Sequence, residues 1–523
     1  MFASFRRFLT QESSGIARGA LVVSLASFVS RLLGLLRDRM LAGHFGAGIE
    51  LDAYYAAFRI PDALFNLFIA GALSAGFIPL FSEYLEQRSE KEAWELAAQV
   101  LSFLTAAIGV AAIIFVIFAP QLIPLMAHGF SPEGQALTIT MSRIMALSPV
   151  LLGISGVIGA ILQTKKRFLA FAFAPVFYNI GILFGILVLS RGFGIAGVAL
   201  GVVVGALLHA SIQAIPAFQL GLRGVWRRPR LTPGVSRLLS LMIPRTASLA
   251  VSQINLIVIL SLASTLTVGS VARFTLATNI QSLPFGLVGV SVAVAAFPVL
   301  SQAVNMNDMD RFARVLCRQL RWLWFLLAPL SVLFVVLAPE IMYVTLGNGK
   351  FDVAQIQQTA SILRWLVIGL PAQGMVALLV RAYYAKKNTW TPFLISLVAE
   401  AVNIILCLSL RSTLGLTGFA IAFTASTISN VLGLWLWLPD RRQMLKEEIR
   451  TLARVFGGVG LATIGMAALM HVLTQSIILT HWSLIRVSVY ALGVSILPIA
   501  AYFGIALLCG LQEPRQLWQK VRR

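Results

Sequence analysis

Apolar residues run in stretches of about twenty along nearly the whole chain, each long enough to cross a ~30 Å hydrocarbon core as a helix. The stretches fall at 16–36, 52–82, 95–118, 136–162, 169–190, 195–220, 236–263, 271–303, 320–338, 357–383, 391–410, 416–438, 452–475 and 484–510. They predict an all-α polytopic membrane protein of about fourteen transmembrane helices, with no connection long enough for a separate soluble domain. The first run follows Arg6 and Arg7 and has the look of a signal peptide. Because it belongs to the repeat described next, it is expected to be retained.

The pattern repeats. Phe130, Arg143, Gly153 and Lys165-Lys166 return as Phe351, Arg364, Gly374 and Lys386-Lys387, each 221 residues on. Gly194-Ile-Ala-Gly197 returns as Gly415-Leu-Thr-Gly418 at the same offset, and Ala119-Pro120 as Ala338-Pro339 at 219. A co-linear series at nearly constant offset predicts a duplication: an N-lobe at 1–222 (spans 1–6), a C-lobe at 223–440 (spans 7–12), and an appended part at 441–523 holding spans 13–14 and a basic tail. Six helices per copy is an even number, so both copies insert with the same orientation. Such parallel repeats are related by an axis along the membrane normal. Two lobes with a cavity between them suit alternating access.

Composition agrees with this picture, and charge changes it. The chain is 58% apolar and 12% charged, with mean hydropathy +0.87, far from the roughly 45–50% and about 25% of soluble domains. Disorder is excluded. Lys+Arg number 41 against 20 Asp+Glu, a formal charge of +21, which in a soluble protein would suggest nucleic acid. Here 29 of the 41 lie in eight alternate short loops, such as Lys165-Lys166-Arg167 or Arg311, Arg314, Arg318 and Arg321. By the positive-inside bias both termini are cytoplasmic, and scatter over eight loops removes the case for nucleic acid. Cys317, Cys407 and Cys509 have no metal-ligand spacing and read as inert. The five histidines are scattered, most of them near loops, and there is no Walker-type phosphate loop. No cofactor or metal is expected, and ATP is not the direct energy source.

The remaining basic residues include several within spans, where an Arg costs about 2.5–3.5 kcal/mol on insertion scales and normally faces protein or water. Their spacing is helical. Ser24, Ser27, Arg31, Gly34 and Asp38 share one face of span 1, beside Arg37. Asp52, Tyr55, Arg59, Asp62 and Asn66 do the same in span 2, with Pro61 as a bend. In span 7, Arg245, Ser248, Ser252 and Asn255 fall, at the 221 offset, on Ser24, Ser27, Arg31 and Gly34. Two readings stand side by side: Arg37–Asp38 and Arg59–Asp62 neutralise each other and hold a lobe together, or surplus guanidinium faces a water-filled cavity and meets an anion through its fork geometry. Arg143 and Arg364, near helix ends, read as snorkelling side chains. Glu400, with Asn403 one turn on, is either an ion-coupling carboxylate or a hydrogen-bonded packing acid; its repeat partner is Asn179.

Ser30-Arg31-Leu-Leu-Gly34, Arg37-Asp38, Phe45-Gly-Ala-Gly48, Asp52-Ala53, Phe58-Arg59-Ile-Pro61, Gly71-Ala-Leu-Ser74 and Phe77-Ile-Pro79 resemble the MurJ (MviN) family of the multidrug/oligosaccharidyl-lipid/polysaccharide exporter superfamily. Ser252-Gln253-Ile-Asn255, Pro284-x-Gly286-x-x-Gly289, Ala296-Phe-Pro298 and Tyr383-Tyr-Ala385 extend the resemblance over essentially the whole chain. The resemblance implies a lipid II flippase of the bacterial cytoplasmic (inner) membrane. It would turn undecaprenyl-diphosphate-linked disaccharide-pentapeptide to the outer leaflet, with Arg31, Arg37, Asp38, Asp52 and Arg59 facing the head group and spans 13–14 forming a groove for the prenyl tail. A monomer is expected, with the lipid bilayer and lipid II as partners and cell-wall synthesis proteins as candidates. Many family members carry an Arg-Arg pair where this chain has Phe65-Asn66, an acid where Ala70 stands, and an Asp-Arg pair where Thr278-Asn279 stands. Arg245 and Arg273 are the candidates to replace the missing cations, so Asp62, Asn66, Arg245, Asn255, Arg273 and Asn279 join the expected substrate-binding set.

Competing readings are a flippase for another polyprenyl-linked glycan, a multidrug exporter of the same superfamily, and a membrane-embedded enzyme acting on a lipid diphosphate. A cation exporter favours acids where this chain offers mostly Arg. An enzyme needs convergent acids, histidines or a metal site.

Overall fold

A computed structural model describes residues 16–70, 76–222, 227–438, 446–474 and 483–522. The first helices are α1 (Ile16–Phe45), α2 (Ile49–Phe65), α3 (Ile78–Gln87), α4 (Glu90–Met126), α5 (Pro132–Met145), α6 (Ser148–Thr164), α7 (Phe168–Phe184), α8 (Ser190–Phe193) and α9 (Ile195–Gln219). There follow α10 (Pro233–Ser264), α11 (Ser270–Pro284), α12 (Ser291–Asn305), α13 (Met309–Val336), α14 (Ala338–Leu346), α15 (Val353–Ile368) and α16 (Leu370–Ala385). The last are α17 (Trp390–Leu436), α18 (Lys446–Thr474), α19 (Leu484–Leu508) and α20 (Glu513–Arg522). Among the described residues there is no strand, only an isolated bridge between Asn348 and Phe351.

Nine of the described helical segments are long and apolar enough to cross a membrane, ten if α15 and α16, which meet at a 43° bend, make one span. The expected count of fourteen is not reached by this measure. One reason is α17, whose 47 residues contain two expected spans, 391–410 and 416–438, joined at Gly415 (φ 52°, ψ −134°). Helices α1, α2 and α10, which carry the polar stripes, are also outside the nine.

The offset of about 220 residues reappears in the backbone. Gly194, between α8 and α9, has φ 54° and ψ −141°, nearly the values of Gly415. Lys166 and Lys387, also 221 apart, both take positive φ, 56° and 58°. The π-helical segment Asn66–Ala70 begins 219 residues before its counterpart Phe285–Val290. Side chains follow: Arg143 Nε donates to the Val116 carbonyl at 3.0 Å, and Arg364 Nε to the Val335 carbonyl at 3.2 Å.

By compactness the chain divides into Met1–Ala272 and Arg273–Arg523. Helix α10, placed by the repeat with the C-terminal copy, thus packs in the first unit. The reason is its apolar face: Val235, Leu238 and Met242 are buried in the same core as Phe77, Phe81 and Leu104. Arg237 adds an ion pair to Glu83 at 2.7 Å, and the Thr246 hydroxyl donates to the Leu67 carbonyl at 3.2 Å. Within this unit α7 packs against α1 and α9. Gly181 of α7 and Gly185, at the start of the π-helical segment Gly185–Leu189 that follows it, approach the backbone of Gly205 and Gly201 so closely that a Cβ on any of the four would overlap main-chain atoms.

Among the described residues the second unit holds two cores. One gathers Leu300, Phe312, Leu320, Leu378 and Tyr383 from α12, α13 and α16. The other joins α18 and α19 to α13 through Phe325, Val459, Met466 and Tyr502. Trp324 stacks on Phe456 with centroids 4.8 Å apart, and the Tyr502 hydroxyl donates to the Phe325 carbonyl at 2.7 Å. Helices α18 and α19 therefore have an interface of their own with α13.

Candidate functional site

The polar residues of α1 divide into two groups. Ser24, Ser27 and Arg31 are exposed, while Asp38 is buried. Arg37 meets Asp38 through both Nε (3.0 Å) and a terminal nitrogen (2.8 Å). Its other terminal nitrogen donates to Asn179 Oδ1 at 3.3 Å. Asn179 in turn donates to the Pro175 carbonyl at 3.0 Å and to the Ser30 hydroxyl at 3.3 Å. The network needs Arg37 and Asp38 adjacent on α1 with α7 packed alongside; both guanidinium nitrogens converge on one oxygen, Asp38 Oδ1, a charge-assisted contact stronger than a neutral hydrogen bond.

On α2 the spacing seen in the sequence is resolved into separate environments. Asp52 is buried; its two oxygens accept the backbone amides of Gly269 (2.6 Å) and Ala272 (2.7 Å) at the start of α11. The first amides of a helix have no acceptor within it, so the carboxylate serves as an N-terminal cap supplied from elsewhere in the chain. It also lines a small cleft of about 70 Å³ with Ile49, Gly129, Ser131 and Thr267. One turn on, the Tyr55 hydroxyl is buried without a hydrogen-bond partner, and so is Arg59 Nε. Asp62 accepts from Asn66 Nδ2 at 3.1 Å. No ion pair within 4.0 Å joins Arg59 to Asp62 among the described residues, unlike Arg37 and Asp38.

Asp62 also faces a cavity of about 260 Å³ inside the first unit, lined by Phe58, Pro61, Ser148, Tyr178 and His209 among others. His209 lies within α9, inside the expected span 195–220, and its Nδ1 is 2.7 Å from the Ser155 hydroxyl. Gln213, one turn further, donates to the same hydroxyl at 2.7 Å. Sequence spacing carried no sign of Ser155, because it comes from α6; the His209–Gln213 interval of four was the only trace.

The remaining candidates are dispersed. The Arg245 and Ser248 side chains lie outside the described residues, as does the segment 71–75 of the Gly71–Ser74 motif. Asn255 is buried with Oδ1 unpartnered. Arg273 is nearly buried and donates to the Gln358 side chain, while Asn279 is half-buried and engaged. Glu400 is half-buried. Asn403 is buried, with Oδ1 accepting from Cys407 Sγ at 3.7 Å and Nδ2 unpartnered. Among the described residues no group of three His, Cys, Asp or Glu could hold a metal ion.

A family model described as lipid II flippase MurJ matches residues 41–493. A relative from Rhizobium meliloti named probable lipid II flippase MurJ is 29% identical over 510 residues, 95% of each chain. Among solved structures, lipid II flippase MurJ in an inward closed conformation superposes with a TM-score of 0.76 at 27% identity, covering 92% of this chain and 99% of that one. An inward-facing multidrug-resistance transporter of the MATE family and MOP superfamily shares the fold alone, with a TM-score of 0.66 at 16% identity over 84% and 98% of the two chains.

Proposed function

The chain belongs to the lipid II flippase MurJ family, and we propose from that premise that its polar α1 and α2 stripes bind the diphosphate of the lipid it flips. It is a multi-pass transporter rather than an enzyme, and the substrate is lipid II, as in its named relatives. No bond is made or broken, so the residues have only to bind, exclude lipid, and release.

Arg59 carries the reading for the site. A buried guanidinium nitrogen without an acceptor costs free energy that an arriving phosphoryl oxygen offsets. Arg31, exposed on α1, is the second contact. Arg37 is held by Asp38 and Asn179, and Asp52 by two amides, so these act by fixing α1 and α2 rather than by touching the head group. Arg245 and Arg273 supplement the charge that Phe65, Asn66 and Asn279 do not provide. The fourteen-span arrangement with cytoplasmic termini, lobes at 1–222 and 223–440, a prenyl groove on the helices after 441, and a monomeric inner-membrane flippase that meets cell-wall synthesis proteins belong to the same proposal. So does alternating access by rocking of the lobes.

Rescue of cells depleted of their lipid II flippase tests it. The wild-type chain is expected to restore growth, Arg59→Ala and Arg31→Ala to fail at equal membrane abundance, and Arg143→Ala to succeed. Growth supported by Arg59→Ala would remove that residue from the site. Failure of the wild-type chain at normal abundance would favour another polyprenyl-linked glycan.

A further inference from the structure

Most basic residues outside the spans serve orientation, yet three of them converge. Arg318 and Arg321 on α13 and Arg454 on α18 line a pocket of about 250 Å³, closed by Trp322 on α13 and by Glu513 and Gln516 on α20. The spacing is suited to this: Arg318 and Arg321 stand three apart on one helix face, and Arg454 comes from the helix that packs against α13. The pocket's charge is not internally balanced. Glu513 approaches Arg321 at 3.9 Å, too far for a hydrogen bond, so Arg321 Nε and Glu513 Oε2 are both buried without partners. Arg318 and Arg454 are exposed and have no ion pair among the described residues. Even with Glu513 set against Arg321, two guanidinium groups remain for one pocket.

The pocket lies where α13, α18 and α20 meet, at the basic end of α13. In α20 the apolar residues Pro514, Leu517, Trp518 and Val521 recur at the spacing of one helix face among Arg515, Gln519 and Arg522. Trp518 is 64% exposed. That pattern is the one by which short helices rest at a bilayer surface. A basic pocket beside such a helix lies at head-group depth, where anionic lipid is concentrated.

We propose that this pocket is a phosphoryl-binding site, separate from the substrate site, that takes a phosphate mono- or diester at the membrane surface. Arg318 and Arg454 supply the charge-assisted donors, and Gln516 a neutral one. Arg321 completes the cradle when an oxygen reaches its unpartnered Nε. The leaflet rests on the orientation given above; the chemistry of the pocket does not.

The test uses the full-length purified chain in uncharged detergent. Lipid retention is counted by native mass spectrometry with dioleoylphosphatidylglycerol or dioleoylphosphatidylcholine, and thermal unfolding is followed separately with inorganic phosphate alone. Arg318→Gln/Arg454→Gln is compared with Arg311→Gln/Arg314→Gln, which removes the same charge from α13 outside the pocket. Gln516→Glu leaves every arginine in place and adds an anion, so it tests the site without relying on the double variant's folding. Wild type and the α13 control are expected to prefer phosphatidylglycerol; the pocket variants are expected to weaken it roughly tenfold or more. Stabilisation by inorganic phosphate that the pocket variants lose would support the same site with a soluble source. Equal retention by pocket and control variants, or no preference for phosphatidylglycerol and no response to phosphate, would overturn it. Either result leaves the rescue experiment on Arg59 untouched.

Discussion

Asp52 and Ala272 lie 220 residues apart in sequence, yet a carboxylate oxygen of one accepts the backbone amide of the other at 2.7 Å. The second oxygen takes the Gly269 amide at 2.6 Å, so one side chain terminates a helix to which it does not belong. Asp52→Ala would leave two amides without their acceptor. It is expected to lower stability by about 1–3 kcal/mol, read by thermal unfolding of the purified protein. An unchanged transition would show that water caps the helix equally well.

Gly269 itself is held by geometry. Its φ is 85°, and a Cβ would stand 2.1 Å from the Ala47 carbonyl oxygen. Gly269→Ala is therefore expected to cost about 3 kcal/mol or more, combining backbone strain with overlap, and to reduce the folded yield. Gly192, with nothing within 4 Å of its Cβ position, is the control: Gly192→Ala is expected to be neutral or slightly stabilising. Similar behaviour of the two variants would mean that the loop relaxes freely.

The Arg37–Asp38 pair invites a double-mutant cycle. Removing either partner strands a charge in a largely buried setting, at a cost of about 1–3 kcal/mol once partial exposure of Arg37 is allowed for. Arg37→Gln/Asp38→Asn is expected to be less destabilised than the two single variants added together. Additive effects would show that Asn179, not Asp38, is the partner that matters to Arg37.

Glu400 offers a test of coupling, which we propose for it with Asn403. If the carboxylate carries an ion through the cycle, Glu400→Gln is expected to flip lipid II at a rate no longer dependent on pH or on Na+ in a reconstituted assay. The same dependence in the variant as in wild type would reduce Glu400 to a packing residue.

Tyr502→Phe tests the appended helices. It removes one buried hydrogen bond, to the Phe325 carbonyl, while keeping the ring, and is expected to cost about 1 kcal/mol. Trp324→Ala, which loses the stacked ring on Phe456, is expected to cost about 3 kcal/mol or more. A Trp324→Ala protein as stable as wild type would show that α18 and α19 are held mainly by their contacts with each other.

The helices were readable because membrane crossing imposes a length on apolar sequence, and the offset of about 220 residues returns in the backbone angles of Gly194 and Gly415. The partners of the polar residues were not readable. Asp52 looked like one more member of the α2 stripe, and only the fold could bring residues 269 and 272 to it. His209 looked isolated, since Ser155 approaches it from α6. Arg318 and Arg454 read as loop charges with a topological role until α13 and α18 were packed together. Spacing within one helix is a local property; convergence between helices depends on packing, which charge patterns do not encode.

The paired glycines at 194 and 415, with φ 54° and 52°, have nothing within 4 Å of their Cβ positions, so each helix break rests on a backbone twist that asks nothing of the side chains around it. Corresponding positions were thus free to take on unlike chemistry. Asn179 holds an arginine in one half, while its counterpart Glu400 brings a carboxylate to the other.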